Sequence, residues 1–252
     1  MGAYLALILI LLTAKWLQSS GSKRFILGLL MLLQVLTLYA TECKSAIVGL
    51  LFGIGLLIWW AYRFVLWQAY CVIASVLIFS TFVTLTIALY GDQLGEIVLE
   101  SEPDQYRPFI WQSAYQASIA RPLTGWGSSS FDLTVGNYGS PGFQKYVLFR
   151  DSRAVDRVHN LWLELLVEEG IPGFLTWISL IGWVVFSVLR MADQSSDRDG
   201  RIMIFAGVSA LIAYVIHQLF NPSDIGSLSL FWWIIGWTVS LGVSLKGVGV
   251  HA

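Results

Sequence analysis

Apolar runs long enough to cross a lipid bilayer recur along this chain, and no other feature narrows its folding choices so far. Residues 2–16, 25–40, 46–67, 69–90, 171–191, 202–220 and 227–245 form seven such runs, the first of them the shortest. A bilayer core calls for about 20 apolar residues per helix. Hydrocarbon offers no partner to a backbone amide, so a run that spans it must be helical. Composition agrees: 56% of the 252 residues are hydrophobic, 12% are charged and 12 are Trp, against roughly 25% charged in a soluble domain. The expected fold is all-α, a multi-pass membrane helix bundle of about seven spans with one large external loop carrying short interfacial helices.

The basic residues orient that bundle. Lys15, Lys23, Arg24, Arg63, Arg190, Arg198, Arg201 and Lys246 all fall on one side of the runs, which the positive-inside rule makes cytoplasmic. The other side, external or periplasmic, takes residues 41–45, 91–158 and 221–226. This topology puts Met1 outside without the flanks of a secretory signal, the pattern expected where further spans precede the chain in a longer protein. The expected organisation is N-terminal spans over 1–90, an external catalytic loop over 91–170 and C-terminal spans over 171–252, in a protein of the inner (plasma) membrane.

Chemistry is expected in the loop, because a connection this long without linker composition is usually functional. Pro103 and Pro108 bracket a helix start and Arg121-Pro122 its end, giving a short helix over 104–120 whose Phe109, Trp111 and Tyr115 suit the membrane interface. Residues 125–130, Gly-Trp-Gly-Ser-Ser-Ser, read as a flexible turn, and the stretch onward to 158 as ordered loop without a period. A second short helix covers 158–169 and stops at Gly170, a C-cap.

Other chemistries find no signature. Cys43 and Cys71 fall at opposite ends of neighbouring spans, about 30 Å apart, where a disulfide needs about 7 Å, so no bridge is expected. The sequence holds no zinc-ligand spacing, P-loop, dinucleotide fingerprint or nucleophile elbow. A net charge of -1 without a basic patch gives no case for nucleic acid.

Arg107 with Trp111 four residues on, Arg121-Pro122-Leu123-Thr124-Gly125-Trp126-Gly127 with Phe131 following, His159-Asn160-Leu161-Trp162-Leu163, and Glu168-Glu169-Gly170-Ile171-Pro172-Gly173 together resemble the O-antigen ligase and O-antigen polymerase superfamily. One segment departs from it: where the family usually carries a Ser-Arg-Gly-like turn, this chain has Thr41-Glu42-Cys43-Lys44-Ser45, and Lys44 lacks the flat donor fork of arginine. The resemblance implies a glycosyltransferase that moves a glycan from a polyprenyl diphosphate donor to a glycolipid, glycan or protein hydroxyl at the external face of the bilayer, without cofactor or metal.

That reaction needs cations on a diphosphate leaving group and a base for the incoming hydroxyl. His159 is the candidate base, its ordinary pKa lying near 6.5. Arg107, Lys44, Arg121 and Arg157 are the candidate diphosphate ligands, and Asp156, Asn160 and His217 candidates for orienting the imidazole or lining an acceptor cavity. Each has a plainer explanation: a histidine at a helix start bonding backbone, an arginine on lipid phosphate, a terminal lysine anchoring its span. Arg121 follows Arg107 by 14 residues, about 21 Å along an unbroken helix, so the two share one diphosphate only if that helix breaks. Glu164 and Glu168 lie roughly 140° and 180° around a helix from His159 and are read as structural. The other function class is a transporter of a small anion such as bicarbonate, against which stands the lack of paired broken spans in the two halves.

Overall fold

The computed structural model describes residues 1–62, 107–139, 157–221 and 225–248, with Pro141 and Gln144. All regular structure among them is helical: α1 (Gly2–Gln18), α2 (Gly21–Ala40), α3 (Lys44–Tyr62), α4 (Arg107–Ala120), α5 (Phe131–Tyr138), α6 (Leu161–Asp193), α7 (Arg198–His217) and α8 (Ile225–Val248). Five of them, α2, α3, α6, α7 and α8, are long and apolar enough to cross a membrane. At 17 residues α1 reaches about 25 Å, short of the ~30 Å core. The expected run at 69–90 lies outside the described residues. The chain is a multi-pass, all-α membrane protein.

The chain divides into two compact units. The first comprises residues 1–74, 181–217 and 223–252. Its centre is α7, buried along nearly its whole length and packed on α1, α3 and α8. Close approach depends on small residues: a Cβ on Gly49 would stand 2.6 Å from the Ala213 carbonyl oxygen, and one on Gly53 would stand 3.1 Å from Ala213 Cβ. Four apart on α3, these glycines form the small-xxx-small surface by which membrane helices pack when apolar burial gives no preference over lipid. On the other flank of α7, Tyr214 stacks on Phe231 of α8 at 4.6 Å. α2 differs, with Leu38 as its buried residue and Phe25, Leu29, Leu33 and Leu36 exposed.

Most basic residues of this unit lie at one end, with Lys44 at the other. Gln18 Nε2 donates to the Asp199 carbonyl at 2.7 Å, and a Cβ on Gly200 would meet Leu245. These contacts gather the ends that carry Lys15, Lys23, Arg24, Arg198 and Arg201. Arg24 lies over the Trp16 ring at 4.0 Å. At the opposite end Cys43 Sγ lies 3.6 Å from His217 Nε2.

The second unit comprises residues 75–180 and 218–222. Its core is Phe109, Ile110, Trp111, Ala114 and Ala117 of α4, Phe131 of α5, and Val158, Leu163 and Val167. The aromatic residues that fitted α4 to a membrane interface are thus spent on an internal core: Phe109 is fully buried and Trp111 nearly so. α4 starts no later than Arg107 and ends at Ala120, as Arg121-Pro122 foretells. α5 corrects the sequence reading, which had loop at 131–138.

α6 is two helices joined at a break. Gly170 sits at φ 68, ψ -172, a conformation open in practice to glycine alone, and Pro172 restarts the helix where its missing N–H costs nothing. The expected stop at Gly170 is therefore present, but the helix begins at Leu161 rather than at 158. Asn160 sets that start, its Oδ1 accepting from the backbone N–H of Trp162 at 3.0 Å and of Leu163 at 3.2 Å. Such a cap contributes about 1 kcal/mol.

Candidate functional site

Two groups of contacts in the second unit place the residues that the sequence singled out. The first is a clasp between residues 122–129 and the end of the helix at 161–169. Carbonyls in the last turn of a helix lack intrahelical partners. Here Trp126 N donates to the Val167 carbonyl at 2.8 Å, Gly127 N to the Glu168 carbonyl at 2.9 Å, and past the break Ile171 N donates to the Pro122 carbonyl at 2.7 Å. The backbones approach so closely that a Cβ on Gly125 would strike the Glu168 carbonyl, and one on Gly170 would stand 2.8 Å from the Pro122 oxygen. Both glycines have positive φ. Glu168 Oε1 accepts from Ser129 N at 2.8 Å, and Trp126 Nε1 donates to the Ala117 carbonyl at 2.8 Å. Residues 125–130 are thus a bonded structural joint, not the flexible turn that their composition predicts, and Glu168 is structural as expected.

The second group surrounds His159. Trp111 Nε1 donates to the Val158 carbonyl at 2.9 Å. Arg107 Nη1 donates to the Phe220 carbonyl at 2.6 Å, and the Trp111 and Phe220 rings lie 6.1 Å apart. Leu161 N donates to the Gln218 carbonyl at 3.0 Å. Arg107 and Trp111, one turn apart on α4, thereby meet the segment that leads into α6 and the segment that follows α7.

His159 stands between two fixed neighbours. Val158 is fully buried and Asn160 nearly so, while His159 itself is half-buried. Its φ is 56, a left-handed conformation that costs a non-glycine residue about 1–3 kcal/mol and recurs where a side chain must be aimed. The cap at Asn160 and the indole bond to Val158 hold the backbone on either side and so sustain the strain.

The other candidates have the following surroundings. Asn160 is spent on the helix cap. Arg157 is exposed, and Asp156 lies outside the described residues. Arg121 places its guanidinium 3.9 Å over the Trp126 ring, beyond the far end of α4 from Arg107. The helix between them is continuous, so at about 1.5 Å per residue the two arginines stand about 20 Å apart along it, and the break that the sequence reading required for them to share one diphosphate is absent from Arg107–Ala120. Lys44 and His217 belong to the first unit: Lys44 is exposed at the start of α3, and His217 is buried at the end of α7. Among the described residues no three His, Cys, Asp or Glu side chains are grouped to hold a metal ion.

Trp111, which the sequence reading named as a motif residue without a role, links the arginine helix to the histidine segment; Gln218, which that reading did not single out, belongs beside it. Gln218 is fully buried, and neither atom of its amide has a hydrogen-bond partner. An unpaired buried polar group costs about 1–3 kcal/mol.

The family model for O-antigen ligase matches residues 29–178, more than half of the chain. Among curated proteins, the exopolysaccharide production protein ExoQ of Rhizobium meliloti (strain 1021) is 27% identical over 128 residues, which cover 50% of this chain and 29% of that protein. The matched part therefore spans less than a third of that relative's length.

Proposed function

The chain belongs to the O-antigen ligase family, a membrane glycan-processing family, and on that footing we propose that it transfers a glycan from a polyprenyl diphosphate to an acceptor hydroxyl, with His159 as general base and Arg107 as the diphosphate ligand. The carrying observation is the joint placement of these residues. The Trp111 bond to the Val158 carbonyl and the Arg107 bond to the Phe220 carbonyl anchor both to one small core.

The reaction breaks the bond between the anomeric carbon and the diphosphate oxygen and forms one to the acceptor oxygen. The acceptor proton passes to the imidazole of His159, and polyprenyl diphosphate leaves with its negative charge. A guanidinium suits that leaving group because its planar donors match phosphate oxygens in pairs. Imidazole is the side chain best suited to take up a proton near neutral pH, and the half-buried His159 stays accessible to an incoming hydroxyl. The concentration of Lys15, Lys23, Arg24, Arg198 and Arg201 at one end of the first unit, against Lys44 at the other, supports a cytoplasmic position for that end, and the order of the apolar runs then assigns residues 91–170 and the transfer to the external face of the inner membrane. The ExoQ likeness favours an exopolysaccharide glycan as substrate.

The test is transfer of radiolabelled glycan from polyprenyl diphosphate donor in liposomes, with chelator present, comparing wild type with His159→Ala. Transfer falling by about 10² to 10⁴, with insertion and donor binding retained, is the expected result. Undiminished transfer would end the assignment of His159, and loss of wild-type activity on chelation would replace it with a metal site.

A further inference from the structure

We propose that the Gln218 side chain binds a hydroxyl group of the transferred sugar, making it a specificity-determining residue beside His159 and Arg107. The inference rests on the glycan-transfer reading and adds a substrate contact to it.

The backbone carbonyls of Gln218 and Phe220 hold the site. The Gln218 carbonyl accepts from Leu161 N at 3.0 Å, the Phe220 carbonyl accepts from Arg107 at 2.6 Å, and the Phe220 ring meets Trp111. The Gln218 side chain takes no part in this: it is 0% exposed, and both its amide oxygen and its amide nitrogen lack a partner. A second buried donor of the same kind occurs in this unit. Leu161 binds Gln218, and the following residue, Trp162, is buried with its indole Nε1 also unpartnered. Trp162 is held edge-on to Phe174 and Trp177 at 5.8 and 5.5 Å.

Buried polar side chains are paired in the large majority of cases, and an exception calls for a cause. A fold seeking stability alone would place an apolar side chain at 218. The chemistry of the unpaired groups selects the ligand. An amide offers donors and an acceptor together, whereas phosphate accepts only. A sugar hydroxyl both donates and accepts, so it satisfies the amide on both sides, and a second hydroxyl suits the donor-only indole of Trp162. Phe220 and Asn221, which follow Gln218, and His159, two residues before Leu161, are half-buried.

The experiment compares wild type, Gln218→Met and Gln218→Asn as full chains. Transfer of radiolabelled glycan from polyprenyl diphosphate is measured in liposomes, and tryptophan fluorescence follows binding of the same glycan, released from its carrier, to detergent-solubilised protein. Methionine is unbranched and close to glutamine in volume but leaves no unpaired amide. Gln218→Met is expected to melt at or above the wild-type temperature while KM and the glycan dissociation constant rise about tenfold or more, as when a sugar hydroxyl loses its partner. The kcat should stay within about threefold, because the base is untouched. Gln218→Asn, which keeps an amide one methylene short, should recover part of the binding. A lower melting temperature for Gln218→Met with unchanged KM makes Gln218 a packing residue and overturns the proposal, as does wild-type binding by both variants. If wild type itself transfers nothing, the function reading fails, and the binding comparison still decides the role of Gln218.

Discussion

The helices of the first unit meet side by side, and those of the second meet end to side. In the first, a span satisfies its own amides, and packing reduces to surfaces close enough to touch, such as Gly49 and Gly53 against Ala213. In the second, short helices finish inside a compact core, and their terminal carbonyls and amides take partners from distant parts of the chain. Trp126 and Gly127 close one helix end from about 40 residues away in sequence, and Pro122 receives Ile171. The comparison teaches where polar chemistry can be kept. A bundle of spans satisfies its backbone within each helix, while a unit built from helix ends draws its partners from distant segments and fixes those segments by the same bonds.

That contrast is most exposed to failure at the two histidines. His159→Ala should lower transfer by about 10² to 10⁴ with little change in melting temperature, whereas His217→Ala, which removes the contact to Cys43 in the first unit, should leave transfer within about threefold. Equal losses in the liposome assay would erase the division of labour. Next in size is the clasp. Gly170→Ala should cost about 1–3 kcal/mol from its backbone conformation, with more from contact with Pro122, and should disturb the second unit first. Hydrogen exchange would show amides at 126, 127 and 171 losing protection while those of α7 keep theirs, and uniform loss would mean that the two units unfold as one. Asn160→Ala should be smaller, about 1 kcal/mol by thermal denaturation, with a loss of transfer exceeding the loss of folded protein, because the cap also fixes the backbone at His159. Smallest of all, Arg121→Lys should change transfer less than about twofold, since its guanidinium lies on Trp126 and that contact contributes ~0.5–1 kcal/mol at an exposed site. Arg107→Lys, by contrast, should raise the donor KM by more than about tenfold, the paired donors being lost.

The two units also differ in how much of them could be read from sequence. Spans are local: α2, α3, α7 and α8 follow from apolar runs, and the Gly170 stop follows from a glycine before Ile171-Pro172. α5 could not be seen that way. Its sequence, Phe-Asp-Leu-Thr-Val-Gly-Asn-Tyr, has β-branched residues, a glycine and no clear period, and its place depends on burial of Phe131 in a core supplied by other segments, a tertiary effect that overrides weak propensity. Glycine and serine at 125–130 suggested freedom because composition cannot show bonds to residues 167 and 168. Arg107 and His159 were recognisable as motif residues. Gln218 was not, since a glutamine after a histidine at the end of a span looks like an ordinary boundary residue until its burial is known. The reading of Asp156 and of the run at 69–90 falls outside the described residues.

The clasp between 122–127 and 167–171 is written almost wholly in main-chain atoms. A joint of that kind is indifferent to most of the side chains that pass through it: saturation mutagenesis should find Leu123, Thr124 and Glu169 permissive and the two glycines close to immutable. Changes at exposed positions between the arms, such as Leu133, leave every one of those main-chain bonding partners in place, so the surface beyond the joint can be rewritten while the histidine stays aimed.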